Sequence, residues 1–246
     1  MAALGEWRTA PGDLSMPVLI LGSKPAPRFP RRFETVVYAN GAILHSGALR
    51  ASQEGRLEEI HVLSNSLLSD KNALCTETRE LLRGRSVDRT YLIEFRPPDE
   101  VTHSLDEIGY RTGALHEMSR REKEGVTRGV LGRTMPWHVA RSRWPISAKI
   151  GFARHYLRTR ELHVSTGVLA LLLAVHAGVP GPYVLAGIGM ADSGYAYTAR
   201  QAARGHLIND AAAFDVLRQG RLGDQIFTTE PDLAAAVGLA LWTDDS

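Results

Sequence analysis

The sequence predicts an α/β fold built on a mostly parallel sheet with helices on both faces. Two observations lead to this prediction. Short apolar runs alternate along the chain with segments of helical spacing, and such alternation is typical of parallel strands that are covered on both sides. Several apolar runs also end in a small polar or glycine-containing cluster, which is the position where open α/β sheets bind their ligands.

Buried apolar runs are the predicted strands. The first three stop at turns or polar clusters that contain Gly22, Asn40 and Asn65. Because ligands bind outside the carboxyl ends of parallel strands, these clusters are candidate site residues. The predicted strands are 16–21, 34–39, 60–63, 89–95, 182–188 and 225–228.

Helical spacing and end signals predict the helices. Hydroxyl side chains favour a helix start, glycine favours a helix end, and proline is tolerated in the first turn. The predicted helices are 71–84, 165–178, 209–219 and 231–241, with two short surface helices in the polar segment 99–133.

The chain has the size of one domain. Its 246 residues, with 44% apolar side chains, are enough to bury a substantial core, so we interpret 1–246 as a single domain. Segment 134–163 differs in composition because it mixes tryptophan and tyrosine with many arginines. We interpret this segment as a small helical lid insertion.

Charge and cysteine content exclude several classes of function. With 29 basic and 27 acidic side chains, the overall field is too weak to argue for nucleic acid as a partner. The single cysteine, Cys75, excludes an internal disulfide and a cysteine-based zinc site. The chain starts without an apolar export signal, and its most apolar run, 164–179, is shorter than the roughly 20 residues that span a bilayer. We therefore expect a cytoplasmic protein.

Two candidate anion sites lie at predicted strand and helix ends. Neither a GxxxxGK[ST] loop nor a three-glycine dinucleotide motif is present. In the turn after Gly22, the N–H groups of Ser23 and Lys24 are expected to face an anion. The second site comprises Ser165, Thr166 and Gly167 at the start of the longest helix, where unpaired N–H groups and the helix dipole favour a phosphate or carboxylate. A plain turn and a simple helix cap are the alternative interpretations.

The catalytic candidates are a histidine and two tyrosines. His206 precedes a predicted helix, and a histidine of near-neutral pKa suits proton removal from a sugar hydroxyl. Asp210 is near enough in sequence to orient it, with Asp215 as a weaker choice. Tyr195 and Tyr197 follow a strand, where phenol hydroxyls can donate to a leaving phosphate. Packing or exposure is the alternative interpretation of each, and the absence of HxxxH, HExxH and clustered acidic motifs predicts no metal.

Taken in order, these motifs resemble those of bacterial sialyltransferases that act on lipo-oligosaccharides, a family with a small Rossmann-like fold. Tyr195 and His206 fit the places of the family's tyrosine and histidine. The other matching stretches are Leu19–Ala26, Asn40, Asn65, and Val164–Val168 followed by an apolar helix and Gly187-Ile188-Gly189.

The resemblance implies a transferase that moves sialic acid, or a related ulosonic acid such as Kdo, from a CMP donor to a glycan hydroxyl without a metal or other cofactor. His206 would remove the acceptor's proton. The implied donor contacts are Ser23, Asn40 and Asn65 to the phosphate or sugar, Ser165 and Thr166 to the carboxylate, and Tyr195 to the departing phosphate, with Gly22, Gly167 and Tyr197 completing the set.

Some positions depart from the family's pattern. Gly189 stands where an acidic residue is usual, Ser23 where asparagine is frequent, and His163 near an expected arginine. The identity of the donor sugar therefore stays open.

Two other functions remain open. The chain could be a non-catalytic nucleotide- or glycan-binding protein, because a fold does not imply a function. The Trp- and Arg-rich segment 137–160 could contact an acidic polysaccharide or an anionic membrane, which would place the protein peripherally at the inner membrane. A solvated helical lid is the simpler interpretation of that segment.

Overall fold

The computed structural model describes residues 16–69, 73–93, 98–132, 135–141, 144–159, 163–190 and 206–244. The strands are β1 Val18–Leu21, β2 Thr35–Ala39, β3 Glu58–Ser64, β4 Ser86–Ile93, β5 Arg111–Met118, β6 Tyr183–Ala186, β7 Ile226–Thr228 and β8 Ala240–Leu241. In this part of the chain they form one sheet of eight strands in the order β5-β4-β3-β2-β1-β6-β7-β8. Every neighbouring pair is parallel, which confirms the predicted α/β fold.

Helices connect the strands. The α-helices are α1 Ser46–Ser52, α2 Ala73–Leu82, α3 Pro98–Glu107, α4 Arg120–Leu131, α5 Met135–Arg141, α6 Ile146–Thr159, α7 Thr166–His176, α8 Leu207–Gln219 and α9 Pro231–Val237. Short 3-10 turns follow β2 and β3 directly, at Asn40–His45 and Asn65–Leu68. The described parts of the predicted lid insertion are α5 and α6.

The sheet separates two hydrophobic cores. Successive side chains of a strand point to opposite faces, so Val18 and Ile20 of β1 belong to one core and Leu19 and Leu21 to the other. Helices α4 to α9 contribute buried side chains to the first core, and α1 to α3 to the second. The sheet is therefore covered on both faces, as predicted.

Helix α7 is the central helix of the first core. Every residue from Val168 to Ala174 is buried, which confirms that the most apolar run of the sequence is a buried helix. Within the described ranges, none of the helices is both long and apolar enough to cross a membrane.

Two predicted helical segments contain strands. The sequence predicts only helices over 99–133, and this is wrong at β5, which is an edge strand with exposed residues at positions 113–115 and therefore lacks an apolar run. The predicted helix 231–241 ends at Val237 instead. Gly238 there adopts a left-handed φ of 72° and redirects the chain into β8.

Candidate functional site

Parallel pairing brings the predicted site clusters to one edge of the sheet. Strands β1, β2 and β3 are neighbours, and Gly22, Asn40 and Asn65 follow their last residues directly. Strand β6 lies on the other side of β1 and is followed by Gly187. Because all carboxyl ends of a parallel sheet lie on the same side, these four positions form one region. We call it the sheet edge.

Asn40 connects three elements at the sheet edge. Its backbone has a left-handed φ of 50°, a conformation that asparagine adopts more readily than most residues. Its Nδ2 donates to Thr166 Oγ1 over 3.0 Å, and its Oδ1 accepts from the N–H of Ser64 over 3.0 Å. The structure therefore brings together Asn40 and Thr166, two residues that the sequence predicts to be in the site.

A buried histidine is hydrogen-bonded to the backbone of Asn40, and the sequence analysis did not identify it. His61 Nε2 is 2.8 Å from the carbonyl oxygen of Asn40. Because a carbonyl only accepts, this nitrogen carries the proton, and Nδ1 accepts from the Tyr110 hydroxyl over 2.9 Å. The Tyr110 oxygen in turn accepts from Thr90 Oγ1 over 2.8 Å. Burial lowers the pKa of His61 to about 4, so the ring is neutral.

The signal for His61 was present in the sequence. It is a polar residue inside the apolar run of the third predicted strand, and polar side chains in such positions are hydrogen-bonded in nearly all proteins. Tyr110 lies 49 residues from its partner His61, and Thr90 lies 20 residues from its partner Tyr110. Sequence patterns give no indication of contacts at that separation.

The turn after β1 packs backbone against backbone. A Cβ on Gly22 would lie 2.4 Å from the oxygen of Gly187, and one on Gly187 would lie 2.5 Å from the oxygen of Gly22. The N–H of Lys24 donates to the Gly187 oxygen over 2.9 Å. The expectation that this N–H faces an anion is therefore wrong. The Ser23 hydroxyl donates to the carbonyl of Ala39 over 3.2 Å.

The side chain of Lys24 also has partners within the protein. Its Nζ lies 2.7 Å from both Glu230 Oε2 and Asp232 Oδ1. Burial disfavours the charge of Lys24, but hydrogen bonds to Asp232 and Glu230 outweigh that effect and raise its pKa. The second oxygen of Glu230 accepts from the N–H of Gly187 over 2.9 Å. These ion pairs and this hydrogen bond connect the turn after β1 to the start of α9.

The first turn of α7 is the second predicted anion site. Ser165 caps the helix, since its Oγ accepts from the N–H of Val168 over 3.4 Å. Its own N–H donates to Asp210 Oδ1 over 2.8 Å. The N–H groups of Thr166 and Gly167 have no acceptor within the helix, because they precede its first i to i−4 bond. Two donors and the positive end of the helix dipole thus lie together.

His206 lies one turn before Asp210, at the start of α8. Its ring stacks on that of His163, with centroids 4.7 Å apart and planes 14° from parallel. Burial lowers the pKa of His206, a hydrogen bond to the His163 backbone raises it, and the charge of Lys123 lowers it further, with a net decrease. The ring is therefore neutral at pH 7 and suited to accept a proton.

The two acidic residues proposed to orient His206 have other partners. Asp210 binds the backbone of Ser165, as described above, and its action on His206 stays a prediction. Asp215 Oδ2 lies 2.6 Å from His138 Nδ1, and its other oxygen accepts from Arg218 over 3.0 Å. Asp215 therefore links α8 to α5.

A cavity of about 540 Å³ lies beside His206. Two of its lining residues each have a buried polar atom without a hydrogen-bond partner in the part of the chain that the structure describes, namely His163 Nδ1 and Asn209 Oδ1. Burial, followed by the charge of Lys123, lowers the pKa of His163 to about 4. We call this space the histidine cavity; it is lined by Trp144, Ala148, Gly151, Phe152, His155, His163, His206, Leu207, Ile208 and Asn209.

The remaining predicted residues have varied outcomes. Asn65 is buried at the start of the turn after β3. Tyr195 and Tyr197 lie outside the described residues, so their predicted roles stay predictions. Among the residues that the structure does describe, no three His, Cys, Asp or Glu side chains are grouped so that they could hold a metal ion.

Comparison of the chain with protein-family models, with curated proteins and with solved structures gave no match. Inference about function therefore depends on the residues of the site and on the sequence motifs. The geometry combines a donor-rich helix start, a polar sheet edge and a neutral histidine on a cavity.

Proposed function

We propose that the protein is a glycosyltransferase that moves sialic acid or a related ulosonic acid from a CMP donor to a glycan hydroxyl. One observation carries this proposal. The Asp210–Ser165 hydrogen bond of 2.8 Å ties the start of α8 to the start of α7, so the neutral ring of His206 is near the helix terminus suited to an anion. A general base and an anion site are the two parts that such a transfer requires.

The proposed reaction assigns each part a step. The donor carboxylate binds at the N–H groups of Thr166 and Gly167, where the helix dipole favours negative charge. His206 takes the proton of the acceptor hydroxyl while that oxygen attacks the anomeric carbon. The bond from the anomeric carbon to the phosphate oxygen breaks, CMP leaves with the bond electrons, and the configuration inverts. The scheme uses no metal ion.

A non-catalytic nucleotide- or glycan-binding protein is the second candidate. One observation weakens the donor contacts that a transferase would make and so keeps this candidate open: side chains at the sheet edge are already used within the protein. The Asn40 amide binds Thr166 and Ser64, and the charge of Lys24 is balanced by two carboxylates. A ligand that needs these groups would first have to displace their partners, which costs binding free energy.

The first test is thermal unfolding with CMP, UMP, GDP, ATP or NAD, in the presence of EDTA. A ligand at about 100 times its Kd adds roughly 2.7 kcal/mol of stability, which raises Tm by several degrees. We expect the largest increase with CMP. No increase with CMP, or a larger one with another nucleotide, would contradict the proposed donor.

The second test separates an enzyme from a binder. In assays with CMP-linked sialic acid or Kdo, we expect His206→Ala to lower turnover about 10²- to 10⁴-fold, because it removes the general base. The CMP-dependent increase in Tm should persist. His103→Ala is the matched control, because its side chain is 77% exposed on α3. CMP binding without any transfer by the unmodified protein would support the non-catalytic candidate.

A further inference from the structure

Helix α6 has two opposite faces with different environments. One face lines the histidine cavity through Ala148, Gly151, Phe152 and His155. Successive residues of a helix are 100° apart, and three large apolar side chains of α6 lie within an arc of about 40° that is centred roughly opposite the cavity. We call this the outer face of α6; its large apolar side chains are Ile146, Ile150 and Leu157.

The outer face is exposed to solvent. Ile146 is 76% exposed, Ile150 is 56% exposed and Leu157 is 65% exposed. Trp137 on the neighbouring helix α5 is 70% exposed. Single exposed apolar side chains are normal on soluble proteins, but a continuous stripe on one helix marks an interaction surface.

The charged side chains of α5 and α6 have one sign. Residues 125–160 contain no aspartate or glutamate, although they include many arginines. On α6, Lys149 and Arg154 fall on either side of the apolar stripe, at about 60° to 80° from its centre, and Arg154 and Arg158 are exposed. An apolar stripe on a helix whose own charged residues are all cationic complements a surface that is uniformly negative.

We infer that the outer face of α6 binds an anionic membrane surface. Ile146, Ile150 and Leu157 enter the boundary between headgroups and acyl chains, and the neighbouring Arg154 and Arg158 contact lipid phosphates. The helix lies in the plane of the interface. Because the cavity is on the opposite side of the same helix, it is held within about 10 Å of the bilayer surface, one helix diameter away.

Vesicle co-sedimentation tests the inference. Vesicles of phosphatidylcholine mixed with phosphatidylglycerol are compared with vesicles of phosphatidylcholine alone. We expect the unmodified protein to bind the anionic vesicles. Arg154→Gln with Arg158→Gln should lower partitioning about 25-fold, at about fivefold for each cation. Ile150→Ser with Leu157→Ser should lower it about tenfold or more, because apolar area is lost.

Matched variants elsewhere control for the substitution itself. Leu241→Ser removes a 50% exposed leucine from β8, and Arg56→Gln removes an arginine whose side chain is 88% exposed. Both should bind anionic vesicles as the unmodified protein does. All variants should keep their Tm, because the changed side chains are exposed.

Any of three results would overturn the inference. One is failure of the unmodified protein to bind anionic vesicles, and another is equal binding by the outer-face variants. The third is a dimer in sedimentation velocity that Ile150→Ser with Leu157→Ser converts to a monomer, without vesicle binding. In that case the outer face joins two copies of the chain.

Discussion

Two asparagines, one at the sheet edge and one on the histidine cavity, are used in different ways. Both polar atoms of the Asn40 side-chain amide are hydrogen-bonded, Nδ2 to Thr166 and Oδ1 to Ser64. Asn209 Nδ2 donates to the carbonyl of His163 over 2.6 Å, but its Oδ1 is buried without a partner among the described residues. The Asn40 side chain is therefore fully hydrogen-bonded within the protein, whereas Asn209 has one buried oxygen that no described residue satisfies.

Two histidines show the same difference. Both nitrogens of His61 are bonded, whereas Nδ1 of His163 has no partner within the described ranges. Burial lowers the pKa of each to about 4. Equal pKa values thus accompany different environments, because both ring nitrogens of His61 are bonded, whereas one buried nitrogen of His163 has no partner among the described residues. The sheet edge serves as a scaffold, and the cavity is the place where chemistry is expected.

The largest expected effect is on the contact between the two glycines of the sheet edge. Gly187→Ala places a Cβ 2.5 Å from the Gly22 oxygen, at a φ of 63° that alanine adopts poorly. We expect it to lower the free energy of unfolding by about 3 kcal/mol or more. Urea unfolding measures this loss.

The control for the glycine prediction is Gly47→Ala in α1. Apart from its chain neighbours and the backbone of its own helix, no described atom lies within 4 Å of the Cβ that it adds, and alanine is the better helix former. We expect Gly47→Ala to raise stability by about 0.5 to 1 kcal/mol. If both variants unfold at the same urea concentration, the close contact between β1 and β6 is not present in solution.

Asn40→Ala is the next largest change. It removes two hydrogen bonds, leaves the N–H of Ser64 without its acceptor, and places alanine at a left-handed φ. We expect a loss of about 2 to 3 kcal/mol in urea unfolding. Asn40→Gly loses the same bonds but tolerates the backbone, so it should be about 1 kcal/mol more stable than Asn40→Ala. Equal stability of the two variants would argue against the left-handed backbone.

The pH dependence of stability tests the buried state of His61. Its folded pKa of about 4 is below the value of 6.5 for the unfolded chain, so the unfolded state takes up a proton first as the pH falls. The contribution of His61 is complete above pH 6.5 and is lost towards pH 4, which lowers stability by about 2 kcal/mol at pH 5 relative to pH 8.

A variant isolates this contribution from other histidines. His163 and His206 have lowered pKa values and act in the same direction, so the informative quantity is a difference between two proteins. His61→Gln retains a donor for the Asn40 carbonyl and does not titrate. Its stability should fall less steeply between pH 6.5 and 5 than that of the unmodified protein. Parallel pH curves would show that His61 is accessible to protons.

Much of the fold was predictable because its signals are local. The strands that end at Gly22, Asn40 and Asn65 are apolar runs, and Ser165 caps its helix as its hydroxyl suggests. The polar edge strand β5 was missed because it has only one buried residue, Met118. Local patterning identifies elements that bury their side chains and misses those that do not.

The site was only partly predictable, because its contacts join distant parts of the chain. The sequence placed Asn40 and Thr166 in one site, and the structure joins them across 126 residues. Nothing local to Lys24 indicates that Glu230 and Asp232 balance its charge. The stacking of His163 on His206 also depends on the packing of α8. Partners of this kind become visible only when the sheet is assembled.

The smallest expected effect is that of Asn209→Ala, which sharpens the comparison between the two asparagines. The variant loses one hydrogen bond to the His163 carbonyl, but it also removes the buried Oδ1 that has no described partner. We expect a loss of about 1 kcal/mol or less in urea unfolding, clearly smaller than for Asn40→Ala. If Asn209→Ala is the more destabilised of the two, then Asn209 Oδ1 has a hydrogen-bond partner in the folded protein. Both asparagine side chains would then be fully hydrogen-bonded.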